Sequence, residues 1–182
     1  PYEGELPQWR SNEWPRWRAI RETVVWEQEA VRLDPFLVND ASDWGHTHRG
    51  VIWYGQGEFG RWVSEVSGLS LHGGGPNAGE LIGREDGSKS IIASIKSHGT
   101  GRDGLQRIFA DMLITCPGAS PTQWEQVLGR LRRDGQAAAL VRAGYYGHTE
   151  ELQRHLVKAL LRADYVQNTI GAEQMIVGAF SK

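Results

Sequence analysis

Pro-Thr-Gln-Trp-Glu-Gln-Val-Leu-Gly-Arg-Leu-Arg-Arg-Asp-Gly-Gln, residues Pro121 to Gln136, is the stretch on which the reading of this chain turns. Placed on a helix, Trp124, Val127, Leu128 and Leu131 form one apolar stripe of the kind that lies against a sheet. Gln126, Gly129, Arg130 and Arg133 repeat that spacing offset by two residues, which turns them roughly 200° away from the stripe. The spacing therefore predicts one core face and an opposite face of hydrogen-bond donors. A glycine inside an exposed helix costs about 1 kcal/mol relative to alanine, and close approach of a ligand or another backbone is one reason to keep it. The two neighbouring guanidiniums are the side chains best shaped to hold phosphate oxygens. A solvated basic face, with Arg130 paired to Asp134 one turn on, fits the spacing equally well.

Gln126, Gly129, Arg130 and Arg133 resemble motif VI of superfamily 2 helicases, patterned Gln-x-x-Gly-Arg-x-x-Arg, and Asp134-Gly135-Gln136 is similar to the ending seen in remodelling-type DNA translocases. The resemblance implies that Arg130 and Arg133 reach across a cleft to the γ-phosphate of a nucleotide held by a different domain. It implies further that Gln126 orients the nucleotide or the attacking water, with Gly129 beside the nucleotide.

Upstream, Ser90 to Lys96 reads as a strand that delivers Ser97-His98-Gly99-Thr100-Gly101-Arg102-Asp103-Gly104-Leu105-Gln106. Glycines after a strand expose backbone N–H groups and let a phosphate or a sugar backbone come close. Gly99, Gly101 and Gly104 also spell the dinucleotide fingerprint Gly-x-Gly-x-x-Gly. That fingerprint belongs to the first strand of its fold and wants an acid about 20 residues on, which is missing here. Under the helicase resemblance the loop looks like motif V, with one residue more between Gly101 and Leu105 than the remodelling-type pattern. The resemblance then implies nucleic-acid contacts from Ser97, His98, Gly99 and Thr100, and nucleotide contacts from Gly101 and Asp103. Gly83 to Ser90 superficially suggests a P-loop, but its lysine does not follow the glycine directly, and a charged turn is the simpler reading.

Earlier still, Gly50 to Tyr54 is a short β-branched and aromatic run that reads as a buried strand. A helix from Glu58 to Ser67 and a second strand from Gly68 to Leu71 follow, running into His72-Gly73-Gly74-Gly75-Pro76. The strand Val-Ile-Trp-Tyr and the later Leu-His-Gly-Gly-Gly look like the opening of a helicase second domain, which adds His72 and Gly73 to the expected nucleic-acid contacts. Asn77 to Ile82 suits a short helix, Ile108 to Cys116 a strand, and Ala137 to Ala143 a last strand. Thr149 caps a helix to Tyr165 with Leu152, Leu156, Ala159 and Ala163 inward, and a weaker helical segment covers Asn168 to Lys182. Strands alternating with helices predict an α/β fold, a RecA-like parallel sheet flanked by helices on both faces.

Residues 1–14, rich in Pro, Gly, Trp and Glu, read as an arm or linker, and Pro15 suits the first turn of a helix reaching Leu33. The expected organisation is one domain over residues 15–182 with helical additions at either end. Asp40 to Gly50 carries a loop signature; its His46 and His48 lack a partner at ligand spacing, so no metal is expected. Cys116 is the single cysteine and reads as a buried free thiol. No apolar run approaches the ~20 residues of a membrane span, and no secretory signal opens the chain, which predicts an intracellular protein, cytoplasmic or in the nucleoid or nucleus. The net charge of −2 provides no global attraction for nucleic acid, so such contact has to come from a local patch.

A complete superfamily 2 motor also needs Gly-x-x-x-x-Gly-Lys-Ser/Thr and an acidic pair for magnesium, and neither occurs in this sequence. The expectation is a second motor domain whose ATP and Mg2+ are bound mainly by a missing N-terminal RecA-like domain carrying the P-loop. DNA is the expected track, with RNA possible, and the domain alone is expected to be inactive as an ATPase. The alternatives are an NAD-type dinucleotide-binding domain, or a non-catalytic nucleic-acid-binding module on the same fold.

Overall fold

Five short strands lie side by side, β1 (Gly50–Tyr54), β2 (Ser70–His72), β3 (Ile91–Ser94), β4 (Asp111–Ile114) and β5 (Arg142–Tyr145), of which β1 and β3 carry the β-branched runs. They form one sheet in the order β2-β3-β1-β4-β5, every neighbouring pair parallel. The computed structural model describes residues 9–24, 31–99 and 104–180, the first six of them as backbone only. It divides into two units, Pro1–Leu33 and Asp34–Lys182. In the first, α1 spans Trp9–Ile20 and carries Pro15 inside it rather than at its start.

The sheet belongs to the second unit, and its side chains alternate between two cores. Val51, Trp53, Ile91, Ala93, Met112 and Ile114 pack on one face with α6 (Pro121–Leu128), α7 (Glu150–Ile170) and α8 (Met175–Phe180). Ile52, Tyr54, Ile92 and Leu113 pack on the other with α2 (Phe36–Thr47) and α3 (Gly57–Ser67). Because both faces are covered, the central strands are apolar without a break, as an all-parallel sheet requires. Two short helices complete the unit, α4 (Ala78–Gly83), whose Ile82 joins the first core, and α5 (Ile95–His98). This is the predicted α/β architecture, a RecA-like parallel sheet with helices on both sides. Among the described residues no helix is long and apolar enough to cross a membrane.

Four local expectations are corrected. The supposed loop from Asp40 to Gly50 is mostly α2, whose buried face is Val38, Ala41, Ser42 and Gly45. That face holds the helical spacing in small residues, so it carries little hydrophobic signal, yet smallness is what it needs. A Cβ on Gly45 would stand 2.6 Å from Leu69 Cδ1 and 3.1 Å from Ile52 Cδ1. Asp34 opens the helix by accepting from the Phe36 N–H at 2.7 Å.

The helix expected from Pro121 to Gln136 stops at Leu128, with Gly129 as its cap. Beyond it the bonds tighten to Arg130 N–H onto Val127 O and Leu131 N–H onto Leu128 O. The last strand lies at Arg142–Tyr145 rather than over the alanines, which are exposed and have little side chain to bury. Arg142 Nε donates to Asp111 Oδ1 at 2.6 Å in the register that pairs Arg142 with Asp111. The helix capped by Thr149 runs on to Ile170, where Gly171 ends it at a φ of 75°, and the final helix is only Met175–Phe180.

Candidate functional site at the carboxyl edge of the sheet

β1 runs on into α3 on one face of the sheet while β4 runs on into α6 on the other. The carboxyl ends of such neighbouring strands part into the crevice where open α/β sheets bind ligands. The loops after β2 and β3 border it. Ser94 ends β3 and accepts from the Ser97 N–H at 3.4 Å, which starts the single turn of α5 and turns His98 inward. His98 is fully buried, and its Nε2–H donates to the carbonyl of Gly73 at 2.8 Å. His72 is buried beside it, the two rings edge to face at 6.3 Å, and its Nε2–H donates to Glu85 Oε1 at 2.7 Å.

These bonds lay the glycines after β2 against the turn after β3. A Cβ on Gly74 would come within 3.1 Å of Ser97 Oγ, and one on Gly73 within 3.4 Å of the Tyr54 hydroxyl. Burial pushes the Tyr54 phenol up, partly offset by its hydrogen bond with Ser94 and the charge of Arg61. Gly74, Gly75 and Lys96 are exposed and Gly73 and Ser97 are half-buried, so these are the groups of the cluster that solvent can reach.

The arginine stretch joins the same edge. Arg130 is buried, and its Nε–H donates to the carbonyl of Gly99 at 2.9 Å. Gln126 and Arg133 are exposed. The four residues therefore do not make one exposed line, because the chain tightens at Gly129 and rotates Arg130 into the protein. The close approach at Gly129 is made by α8: a Cβ there would lie 3.2 Å from Met175 Cε. Glu125, one turn before, accepts from the Met175 and Ile176 N–H groups at 2.9 and 3.0 Å.

Behind them, Gln106 Nε2 donates to Asp134 O at 3.2 Å and Gln136 Nε2 to Phe109 O at 2.8 Å, so the two glutamine-bearing segments brace each other.

The structure thus brings together His72, Gly73, Ser97, His98, Gly99 and Arg130, with Arg133 three residues further on. Thr100, Gly101 and Asp103 lie outside the described residues. His72 and His98 are holding groups rather than exposed contacts, since their imidazoles are buried and bonded within the protein. Tyr54 and Lys96 escaped the sequence reading; their position at or just past the end of a β-branched run was the available signal. Among the described residues no group of three or more His, Cys, Asp or Glu side chains converges.

The glycine-rich loop follows β3, the third strand in sequence, and leads into a three-residue 3-10 turn at Leu105–Arg107. A dinucleotide site needs the first strand and a full helix behind the glycines to hold a pyrophosphate, so this arrangement does not favour that alternative.

The fold is similar to part of an ATPase domain. A solved structure described as the C-terminal part of the Fun30 ATPase domain superposes with a TM-score of 0.55 at 13% sequence identity. The likeness covers 78% of this chain and 50% of that one, so the chain spans about half the length of that structure. At this identity the likeness bears on the fold. No family model matches the sequence, and no curated protein matches it.

Proposed function

We propose that this chain is the second motor domain of an ATP-dependent superfamily 2 DNA helicase or translocase, working against an N-terminal RecA-like domain that carries the P-loop. The observation that carries the reading is the stitching at the carboxyl edge: His98 to Gly73 and Arg130 to Gly99 bind three separate motif-like segments into one assembly. The likeness to the C-terminal part of an ATPase domain supports it.

Within this reading the two arginines divide the work. Arg133, exposed, is the finger that neutralises charge on the transferring phosphoryl group, a role that contributes about 10³ to 10⁵ in rate in GTPases. Arg130, buried against Gly99, positions the glycine-rich loop relative to that finger. Gln126 orients the nucleotide or the attacking water, and Gly101 and Asp103 border the nucleotide, while Gly129, expected beside it, is instead packed against Met175 of α8. ATP and Mg2+ are held mainly by the partner domain. Ser97, Thr100 and Gly73 follow the nucleic-acid backbone and Lys96 adds a cation there, while His72, His98 and the buried Gly99, bonded to Arg130, hold their loops in place rather than touching the strand.

The test compares the 182-residue chain alone with the two-domain protein. The chain alone should not turn over ATP. In the two-domain protein Arg133→Ala should lower DNA-stimulated kcat by about 10³ with KM little changed. Turnover by the isolated chain that disappears with Arg133→Ala, or full activity of that variant in the two-domain protein, overturns the proposal.

A further inference from the structure

β5 is the last strand of the sheet, and among the described residues no strand pairs with its outer edge. In a parallel pair the backbone groups of alternate residues face the neighbour and those between face away. Arg142 N–H donates to Ala110 O at 2.9 Å and Tyr146 N–H to Ile114 O at 3.0 Å. The N–H and C=O groups of Ala143 and Tyr145 therefore point outward, where no strand pairs with β5 among the described residues. All four residues of β5 are exposed.

Proteins commonly blunt such an edge with a charged side chain. Here the one charge on the strand is turned back, since Arg142 is engaged by Asp111 on β4.

Beside this edge lies a groove of about 760 Å³, lined by Leu140, Tyr145 and Phe180 among other apolar groups and by Arg132, Arg133 and Gln136. No carboxylate lines it, and Arg132 is exposed and in no ion pair among the described residues. Ala143 and Tyr145 both line the groove, so a strand laid along β5 would send alternate side chains into it.

We propose that β5 is a docking edge for an extended, carboxylate-bearing peptide segment of another protein, which adds as a sixth strand. Backbone bonds to Ala143 and Tyr145 supply the pairing, alternate apolar side chains fill the groove, and a carboxylate on the segment meets Arg132. The groove is also lined by Arg133, the finger of the proposed function, but the pairing edge of β5 and the Arg132 contact do not depend on that role.

The probe is a six-residue peptide alternating valine with serine and ending in aspartate, titrated into the 182-residue chain and followed by amide NMR. Saturable binding is expected, with new hydrogen-exchange protection at the Ala143 and Tyr145 amides. The same peptide N-methylated on its pairing edge should not bind, and Arg132→Glu should weaken the unmodified peptide about tenfold, the loss and reversal of one charge pair. Absence of binding at millimolar peptide overturns the proposal, as does binding that survives N-methylation. So does sedimentation showing a dimer of the chain together with hydrogen exchange showing the Ala143 amide already protected in that dimer without peptide. Because N-methylation alters only the peptide, the result does not depend on any variant folding.

Discussion

Replacing Glu125 by alanine should destabilise the domain by about 2 kcal/mol without any direct effect on chemistry. Its carboxylate accepts from two successive N–H groups at the start of α8, at 2.9 and 3.0 Å, and so acts as the cap of a helix fifty residues away. Removing an ordinary N-cap side chain costs about 0.5–2 kcal/mol. Two bonded N–H groups and a full negative charge at a helix start put Glu125 near the top of that range. The loss is bounded from above by what α8 anchors. Ile176 is fully buried, and burial of such a side chain contributes about 1.5–3 kcal/mol. For a chain of this size 2 kcal/mol corresponds to a fall in Tm of about 4–8 °C. Glu125→Gln retains one acceptor oxygen and should lose about half as much. Urea unfolding gives the global numbers, and hydrogen exchange should show the α8 amides opening first. A change below about 0.5 kcal/mol, or equal losses for alanine and glutamine, would refute the capping argument. A loss of ATP turnover in the two-domain protein at unchanged stability would instead mark Glu125 as a reacting group.

Arg130→Ala should cost about 2 kcal/mol through the lost Gly99 bond and packing, whereas exposed Arg133→Ala should stay within about 1 kcal/mol, both read from urea midpoints. Gly50→Ala should destabilise by about 3 kcal/mol or more, because the added carbon would stand 2.3 Å from the Asp111 carbonyl oxygen and 2.7 Å from Trp44, with β4 backbone on one side; wild-type-like unfolding would contradict it. Burial, and then the Asp40 carboxylate, push the Tyr146 phenol well above its ordinary 10.0. The folded state favours the neutral phenol, so stability is full below pH 10 and declines as pH rises beyond it. Tyr146→Phe should flatten that decline while costing about 1 kcal/mol at neutral pH.

The sheet was legible because Val51 to Tyr54 and Ile91 to Ser94 are buried on both faces and therefore apolar residue after residue. The arrangement of α2 was not, because a helix that must lie close to a sheet uses Ala41, Ser42 and Gly45, whose pattern is invisible to hydrophobic periodicity. The arginine face failed for a different reason. Periodicity extrapolates a helix through Gly129, and nothing local announces that the chain tightens there and turns Arg130 toward Gly99. His72 and His98 were legible as residues next to glycine loops, while their burial depends on each other and on Glu85, thirteen residues from His72 in sequence. Tyr54 and Lys96 are individually ordinary, and only the parallel sheet brings their strand ends to one edge.

The Tyr146 hydroxyl, whose one proton is shared between Asp40 Oδ2 at 2.8 Å and Leu37 O at 3.1 Å, closes a span of more than a hundred residues. On a ribosome, α2 and β1 emerge well before the strand end that secures them, and β1 itself waits some sixty residues for β4. Until β3 emerges to pair with β1, nascent chains expose an apolar, two-sided strand with no neighbour, and until β4 emerges its other edge stays unpaired, which makes this period the one in which a chaperone has most to do.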